Sequence, residues 1–189
     1  MAIINVSFII PVYNRPDEIN ELLESLNNLD GNYDFEIVII EDGSDKCSDK
    51  IISNYSDYLN ISYFKKNNTG PGDSRNFGMK KAKGNYFIIL DSDCILPKNY
   101  LSNFFTNINH KYVDCFGGVD DSHHSFTSFQ KAVNFTMTSL LTTGGIRGNR
   151  SKYKNFQARS FNMGISKKTF ELTDGFGNIH PGEDPDLSL

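Results

Sequence analysis

Asp91-Ser92-Asp93 is the stretch whose residue types and spacing speak most directly of chemistry. It follows Tyr86-Phe87-Ile88-Ile89-Leu90, whose β-branched, aromatic and leucine residues predict a buried strand. A buried strand that runs straight into two anions has something cationic to meet there, and open α/β sheets hold ligands just outside the carboxyl ends of their strands. Carboxylates at i and i+2 in such a place can hold Mg2+ or Mn2+, ions that keep several waters and complete their shell with diphosphate oxygens. An ion so placed neutralises charge growing on a leaving diphosphate. An Asp turn with a solvated tip has the same spacing, so the motif alone leaves both open.

Three further places carry chemistry. In Glu41-Asp42-Gly43-Ser44 the Asp42 carboxylate falls just past a second apolar strand, where it can accept the imide N–H of a uracil or simply cap a turn. Arg75, opening a helix after Pro71-Gly72, can pair bidentately with phosphate or carboxylate, or stand exposed on its helix. Glu183-Asp184 is a later acidic pair, and an inverting sugar transfer needs one base to take the proton of the attacking hydroxyl. His123, His124 and His180 are weaker candidates for that role. The turn after the first strand, Val12-Tyr13-Asn14-Arg15-Pro16, holds no glycine. That excludes the Gly-x-Gly-x-x-Gly dinucleotide cradle, and no P-loop pattern occurs either.

The elements that must position these groups follow from periodicity. Val6–Val12 reads as a strand buried on both faces apart from Ser7, with Pro11 at its end, where a missing N–H breaks no ladder. Ile19, Leu22, Leu23, Leu26 and Leu29 recur at helical spacing. Phe35–Ile40 is strand two, a helix carrying Ile51, Ile52 and Tyr55 follows, and Ile61–Phe64 is strand three. A helix over Asp73–Ala82, closed by Gly84, leads to Tyr86–Leu90. Beyond it the pattern predicts a helix over Lys98–Asn107, a strand over Tyr112–Gly117 and a helix over Ser125–Leu141. A glycine-rich basic loop over Gly144–Arg150, a strand over Phe161–Ser166 and a short helix over Lys167–Leu172 complete it. Apolar strands alternating with helices define an α/β class with a mostly parallel central sheet covered on both faces.

Bulk composition agrees. The chain has 189 residues, 38% hydrophobic and 22% charged, enough for one domain with a real core. A net charge of −4 gives no general attraction to nucleic acid or anionic lipid, and the basic runs Lys65-Lys66 and Lys80-Lys81 with Lys83 read as solvated faces. Cys47, Cys94 and Cys115 form neither a metal pattern nor a disulfide framework, which points to a reducing, cytoplasmic setting. No signal peptide and no run of ~20 apolar residues is present, so no transmembrane segment is expected in this stretch, while a partner could still hold it at the inner face of the membrane. Asp184-Pro185-Asp186-Leu187-Ser188-Leu189 reads as the first turn of a helix cut short, so the chain is expected to be a truncated piece.

The motifs occur in one order: Phe8-Ile9-Ile10-Pro11-Val12-Tyr13-Asn14-Arg15, Ile39-Ile40-Glu41-Asp42-Gly43-Ser44, Ser74-Arg75-Asn76-Phe77-Gly78, Leu90-Asp91-Ser92-Asp93 and Gly182-Glu183-Asp184-Pro185-Asp186-Leu187. In this the chain resembles the family 2 glycosyltransferases of GT-A fold over essentially its whole length. The resemblance implies one GT-A domain over 1–189, with a nucleotide-sugar-binding half over 1–95 and an acceptor-side half over 96–189. It implies an inverting transferase that uses a nucleotide-diphosphate sugar, often a UDP-sugar, with Mg2+ or Mn2+, acting on a glycan or lipid-linked acceptor as in surface polysaccharide assembly. Pro11 and Tyr13 would line the nucleoside pocket, Asp42 would contact the base, and Arg75 would lie near base or phosphates. Asp91 and Ser92 would help hold the sugar nucleotide and Asp93 would ligate the metal. Asp184 would be the general base, with Glu183, Asn162 and Met163 on the acceptor side. No Trp occurs, so the Gln-x-x-Arg-Trp of processive relatives such as cellulose and hyaluronan synthases is absent from this stretch. Two other readings share the residues: a nucleotidyltransferase, which usually carries a glycine-rich signature where this chain has Tyr13-Asn14, and a non-catalytic nucleotide-sugar-binding fragment.

Overall fold

A computed structural model describes residues 3–118 and 159–177, together with 127–129, 132, 135 and 136. The elements are β1 (Val6–Val12), α1 (Pro16–Asn27), β2 (Phe35–Asp42), α2 (Asp49–Ser53), β3 (Ile61–Lys66), α3 (Pro71–Lys81) and β4 (Tyr86–Leu90). There follow α4 (Tyr100–His110), β5 (Cys115–Gly117), β6 (Asn162–Ser166) and α5 (Lys167–Thr173). The described strands form one sheet in the order β3-β2-β1-β4-β6-β5. β3, β2, β1 and β4 run parallel, and β6 lies antiparallel to both β4 and β5. The mostly parallel sheet expected from the sequence is therefore present, with its antiparallel part at one edge. The helix expected over Ser125–Leu141 falls largely outside the described residues.

Period-two alternation divides each central strand between two cores. Phe8, Ile10, Val12, Ile37, Ile39, Tyr86, Ile88 and Leu90 face the layer that holds α1 and α4, meeting Leu22, Leu23, Leu26, Leu101 and Phe104. Ile9, Val38, Ile40, Phe87 and Ile89 face the opposite layer, meeting Met79 of α3 and Phe170 of α5. Strands buried on both sides explain why the sequence reads as continuous apolar runs.

Several boundaries differ from the sequence reading, each for a local reason. β2 and β3 run on past Ile40 and Phe64 because Glu41 and Asp42 lie opposite Lys65 and Lys66 in the parallel register. Opposite charges on adjacent strands favour continued pairing where an apolar pattern has ended. α3 starts at Pro71 rather than Asp73, since proline suits the first helical turn, where its missing N–H is not needed. Ser7 does not break the burial of β1: it is fully buried, donating to Glu36 Oε1 at 2.6 Å and accepting from Gly84 N at 3.0 Å.

Gly78 lets α3 lie close on the sheet. A Cβ there would come to 2.5 Å from Ile40 Cδ1 and 2.7 Å from Ile9 Cγ2. Gly78→Val is expected to destabilise the fold by about 1–3 kcal/mol through overpacking, read as a lower midpoint in chemical denaturation.

Candidate active site

Parallel strands end at one edge, so the turns after β1, β2 and β4 meet. Between them and the start of α3 lies a cavity of about 690 Å3. Its walls include Pro11, Tyr13, Asp42, Arg75, Asp91, Ser92 and Asp93, all of the donor-side residues singled out in the sequence. Arg15, Asn68, Thr69 and Gly70 line it as well, and sequence reasoning gave these no role.

Asp42, at the last position of β2, is the most heavily engaged of these groups. Its Oδ1 accepts from Lys66 Nζ at 2.6 Å and Thr69 N at 3.0 Å, and its Oδ2 accepts from Gly70 N at 2.9 Å. Its backbone carbonyl accepts from Asn68 Nδ2 at 3.0 Å. The 67–70 segment is thereby drawn over the end of β2. Gly43 makes the approach possible: it holds φ +74°, and a Cβ there would stand 2.5 Å from Asn68 N. The expectation that Lys65-Lys66 is a solvated face fails for Lys66, whose side chain is 13% exposed. Its ammonium bridges Asp42 and, at 3.1 Å, Asp73 Oδ2, and also donates to Thr69 Oγ1. The pairing of β2 with β3 sets it opposite Asp42, which the apolar pattern alone could not show.

Arg75 is a buried residue of α3, not an exposed one. Its Nη2 donates to Asp91 Oδ1 at 2.9 Å, and the guanidinium lies 5.3 Å from the centre of the Phe176 ring. Asp93 is more open; Arg15 Nη1 stands 3.8 Å from its Oδ2 while also bonding Glu18 Oε1 at 3.1 Å. The turn that carries Arg15 is fixed by Asn14 in a left-handed conformation, φ 54°. Asn14 Oδ1 accepts from Asp45 N at 2.9 Å and Lys46 N at 3.0 Å, clamping the end of β1 to that of β2. Asn is one of the few residues with a side chain that visit this region readily, the one sequence signal that could have marked it. Beneath, Glu41 accepts from Ser48 N at 2.9 Å and Tyr63 Oη at 2.7 Å. Burial first, and this bond second, push the Tyr63 phenol well above its ordinary range.

The donor set can be tested against a divalent ion. Asp91 and Asp93 both reach the cavity, and no group of three or more His, Cys, Asp or Glu side chains is gathered among the described residues. Mg2+ is typically bound by one or two carboxylates plus substrate phosphates and water. The residues therefore fit an ion held jointly with a diphosphate, rather than one held by protein alone.

Of the residues expected on the acceptor side, Asn162 and Met163 pair with Leu90 and Ile89 across β6 and β4, beside the Asp91 turn. Asn162 Oδ1 accepts from Tyr100 Oη at 2.6 Å, whereas the Met163 side chain is fully buried in the core. Glu183, Asp184, His123, His124, His180 and the Gly144–Arg150 loop lie outside the described residues.

Comparison with known proteins gives this arrangement its class. The family model for glycosyl transferase family 2 matches residues 7–171, and the chain belongs to that family. It is 27% identical over 193 aligned residues to the chondroitin synthase of Escherichia coli, covering 95% of this chain and 28% of that protein. It is 34% identical over 111 residues to the poly(ribitol-phosphate) beta-N-acetylglucosaminyltransferase TarS of Staphylococcus aureus, covering 57% of this chain and 19% of TarS. The chain thus spans less than a third of the length of either relative. In fold it matches the crystal structure of S. aureus TarS 1–349 in complex with UDP-GlcNAc, with TM-score 0.75, 23% identity, and coverage of 97% of this chain and 52% of that one. It also matches the mannosyltransferase PcManGT of Pyrobaculum calidifontis in complex with GDP-Man and Mn2+, with TM-score 0.70, 16% identity, and coverage of 96% and 50%. The six-stranded sheet flanked by helices is that of the GT-A glycosyltransferases.

The Thr69 hydroxyl, and after it Lys66, hold the Asp73 carboxyl below its ordinary value of 3.8. A depressed acid stabilises the fold above its unfolded pKa and loses that contribution as pH falls through the folded one. The difference in thermal midpoint between wild type and Asp73→Asn should therefore be present at neutral pH and shrink steadily below about pH 4. A difference constant down to pH 2.5 would refute the ionic role of Asp73.

Proposed function

We propose that this chain is the donor-binding part of an inverting glycosyltransferase that moves a sugar from a nucleotide-diphosphate sugar, a UDP-sugar in our reading, to a hydroxyl of a glycan or lipid-linked acceptor. The observation that carries the proposal is the convergence of Asp42, Arg75, Asp91 and Asp93 on one cavity at the carboxyl edge of a parallel sheet. The domain reading from the sequence, one GT-A domain over 1–189 with a donor half over 1–95 and an acceptor half over 96–189, belongs to the same proposal.

Each residue has a role that its chemistry suits. Pro11 and Tyr13 offer apolar surface to the nucleoside, Tyr13 being half exposed at the cavity wall. Asp42 offers an acceptor to the N–H of a base. Arg75, anchored by Asp91, brings positive charge toward the diphosphate, and Ser92 offers a hydroxyl beside it. Asp93, with Asp91 next to it, would hold Mg2+ or Mn2+, which when bound stabilises charge on the diphosphate. Asp184 takes the proton of the acceptor hydroxyl as its oxygen attacks the anomeric carbon. The bond from that carbon to the diphosphate breaks, and its electron pair leaves with the nucleotide. Glu183 and Asn162 would orient the acceptor, with Met163 fixing the strand that carries Asn162. Surface polysaccharide assembly is the setting that names such as chondroitin synthase and TarS favour. The cytoplasmic placement rests on Cys47, Cys94 and Cys115, which form no disulfide; no helix among the described residues is long and apolar enough to cross a membrane.

Because the chain spans a fraction of its relatives' length, binding without turnover is the specific second reading. A thermal-shift screen of nucleoside diphosphates and their sugars, with and without Mn2+, separates the cases. A ligand at about a hundred times its Kd stabilises by roughly 2.7 kcal/mol, so a clear rise with UDP or a UDP-sugar is expected. No rise with any nucleotide would sink the proposal. Asp184→Asn should retain the UDP-induced rise and lower transfer by about 100-fold or more. Transfer at wild-type rate in that variant removes Asp184 as the base, and a wild type that binds UDP without transfer to any acceptor is a binding module.

A further inference from the structure

Lys66 is a lysine that the donor-site reading does not use, yet it is among the most tightly held cations of the described residues. Its side chain is 13% exposed and that of its partner Asp42 is 5% exposed. The ammonium contacts Asp42 Oδ1 at 2.6 Å, Asp73 Oδ2 at 3.1 Å, the Asn67 carbonyl at 3.3 Å and the Thr69 hydroxyl. Thr69 Oγ1 donates in turn to Asp73, so Lys66, Thr69 and Asp73 form a closed ring over the 67–70 segment. That segment supplies Asn68, Thr69 and Gly70 to the cavity wall. The ring therefore joins the end of β3, the first turn of α3 and the base-side wall through a single ammonium.

The arrangement also counts acceptors. An ionised carboxylate has about four lone-pair directions. Lys66 Nζ and Thr69 N occupy Oδ1, and Gly70 N takes one direction on Oδ2. One direction on Oδ2 is left, and Oδ1 has none to spare while Lys66 is in place. A uracil ring offers one imide N–H between two carbonyls, which matches a single remaining acceptor. Guanine offers two adjacent donors, N1–H and N2–H, and asks for two. Cytosine has an acceptor at the corresponding ring position and meets the carboxylate lone pair against lone pair.

We propose that Lys66 is a positioning residue for nucleobase recognition: held by Asp73 and Thr69, it saturates one oxygen of Asp42 and closes the 67–70 wall, so that the pocket presents a single acceptor and selects uridine over guanosine and cytidine nucleotides. This rests on the reading of the cavity as a nucleotide-sugar site. Lys66 itself touches no substrate; it acts through Asp42 and the loop. Without it one acceptor direction on Asp42 Oδ1 opens beside the Thr69 N–H and the 67–70 segment loses its ammonium tie, so base discrimination falls along with affinity.

The test is calorimetric titration of the full chain with UDP, CDP and GDP, comparing wild type, Lys66→Met, Lys66→Arg and Asp73→Asn, with melting curves to check folding. Lys66→Met is expected to weaken UDP by about tenfold or more and to bring the UDP-to-GDP and UDP-to-CDP ratios toward unity. Lys66→Arg should restore most of the selectivity, and Asp73→Asn should weaken UDP by roughly threefold, since only the outer end of the ring is lost. A loss of stability alone would leave the ratios unchanged. A folded Lys66→Met with UDP affinity and both ratios within about twofold of wild type overturns the proposal. If Lys66→Met does not fold, Asp73→Asn decides, and unchanged affinity and ratios there overturn it. A wild type that prefers GDP or CDP overturns the acceptor count while leaving the donor site standing. A wild type that binds no nucleoside diphosphate overturns the donor-site reading and this inference with it.

Discussion

Parallel strands that end at the same edge force their terminal side chains together, and here those side chains are acidic. Asp42, Asp91 and Asp93 line one cavity, and each is met by a cation from a different element. Lys66 stands 2.6 Å from Asp42, Arg75 2.9 Å from Asp91 and Arg15 3.8 Å from Asp93. The carboxylates grow more open in the same order, their side chains being 5%, 39% and 58% exposed. Desolvated charges need tight partners, while exposed pairs contribute little and separate readily. The gradient runs from a desolvated, tightly held pair at Asp42 to an open, exchangeable one at Asp93, which suits the base and diphosphate ends of the proposed nucleotide site.

The rest of the fold maintains those pairings. The β2–β3 register carries Lys66 to Asp42 and, one position earlier, lines Lys65 up with Glu41. Gly78 lets α3 settle on Ile9 and Ile40, which brings Arg75 to the Asp91 turn. Asn14 locks the β1 turn to the β2 turn, so that Arg15 projects between α1 and Asp93. Phe176, beyond α5, lies against the guanidinium of Arg75 and ties the antiparallel edge of the molecule to the site: Asn76 Nδ2 donates to its carbonyl at 2.8 Å and Asn76 Oδ1 accepts from its N–H at 2.9 Å. Local backbone chemistry and long-range charge pairing thus point to the same arrangement.

Much of this was legible in the sequence. Uninterrupted apolar runs gave β1, β2 and β4, and the residues placed just beyond them lie together because strand direction follows from α/β alternation. Partners of those residues were not legible. Lys66 sits in a short dibasic run that looks like a solvated face, and only the strand register turns it inward. Ser7 looks like a break in an apolar strand, but Glu36 and Gly84 reach it from positions far along the chain. Asn14 gave a weak signal, since a left-handed φ cannot be told from one polar residue in a turn. Periodicity reports which face is buried; it does not report which polar group waits across it.

Family 2 membership places the chain among the glycosyl transferases, and the cavity gathers the residues on which the proposed donor site rests. In the proposed site a nucleotide lies along this edge with its base against Asp42 and the 67–70 wall and its diphosphate toward Asp91 and Asp93. A crystal structure of the chain with UDP and Mn2+ tests it most directly. A base N–H is expected within hydrogen-bond reach of Asp42 Oδ2, with diphosphate oxygens and the ion together at Asp93. Nucleotide bound at another edge of the sheet, or bound here with the base at Asp93 and the diphosphate at Asp42, would contradict it.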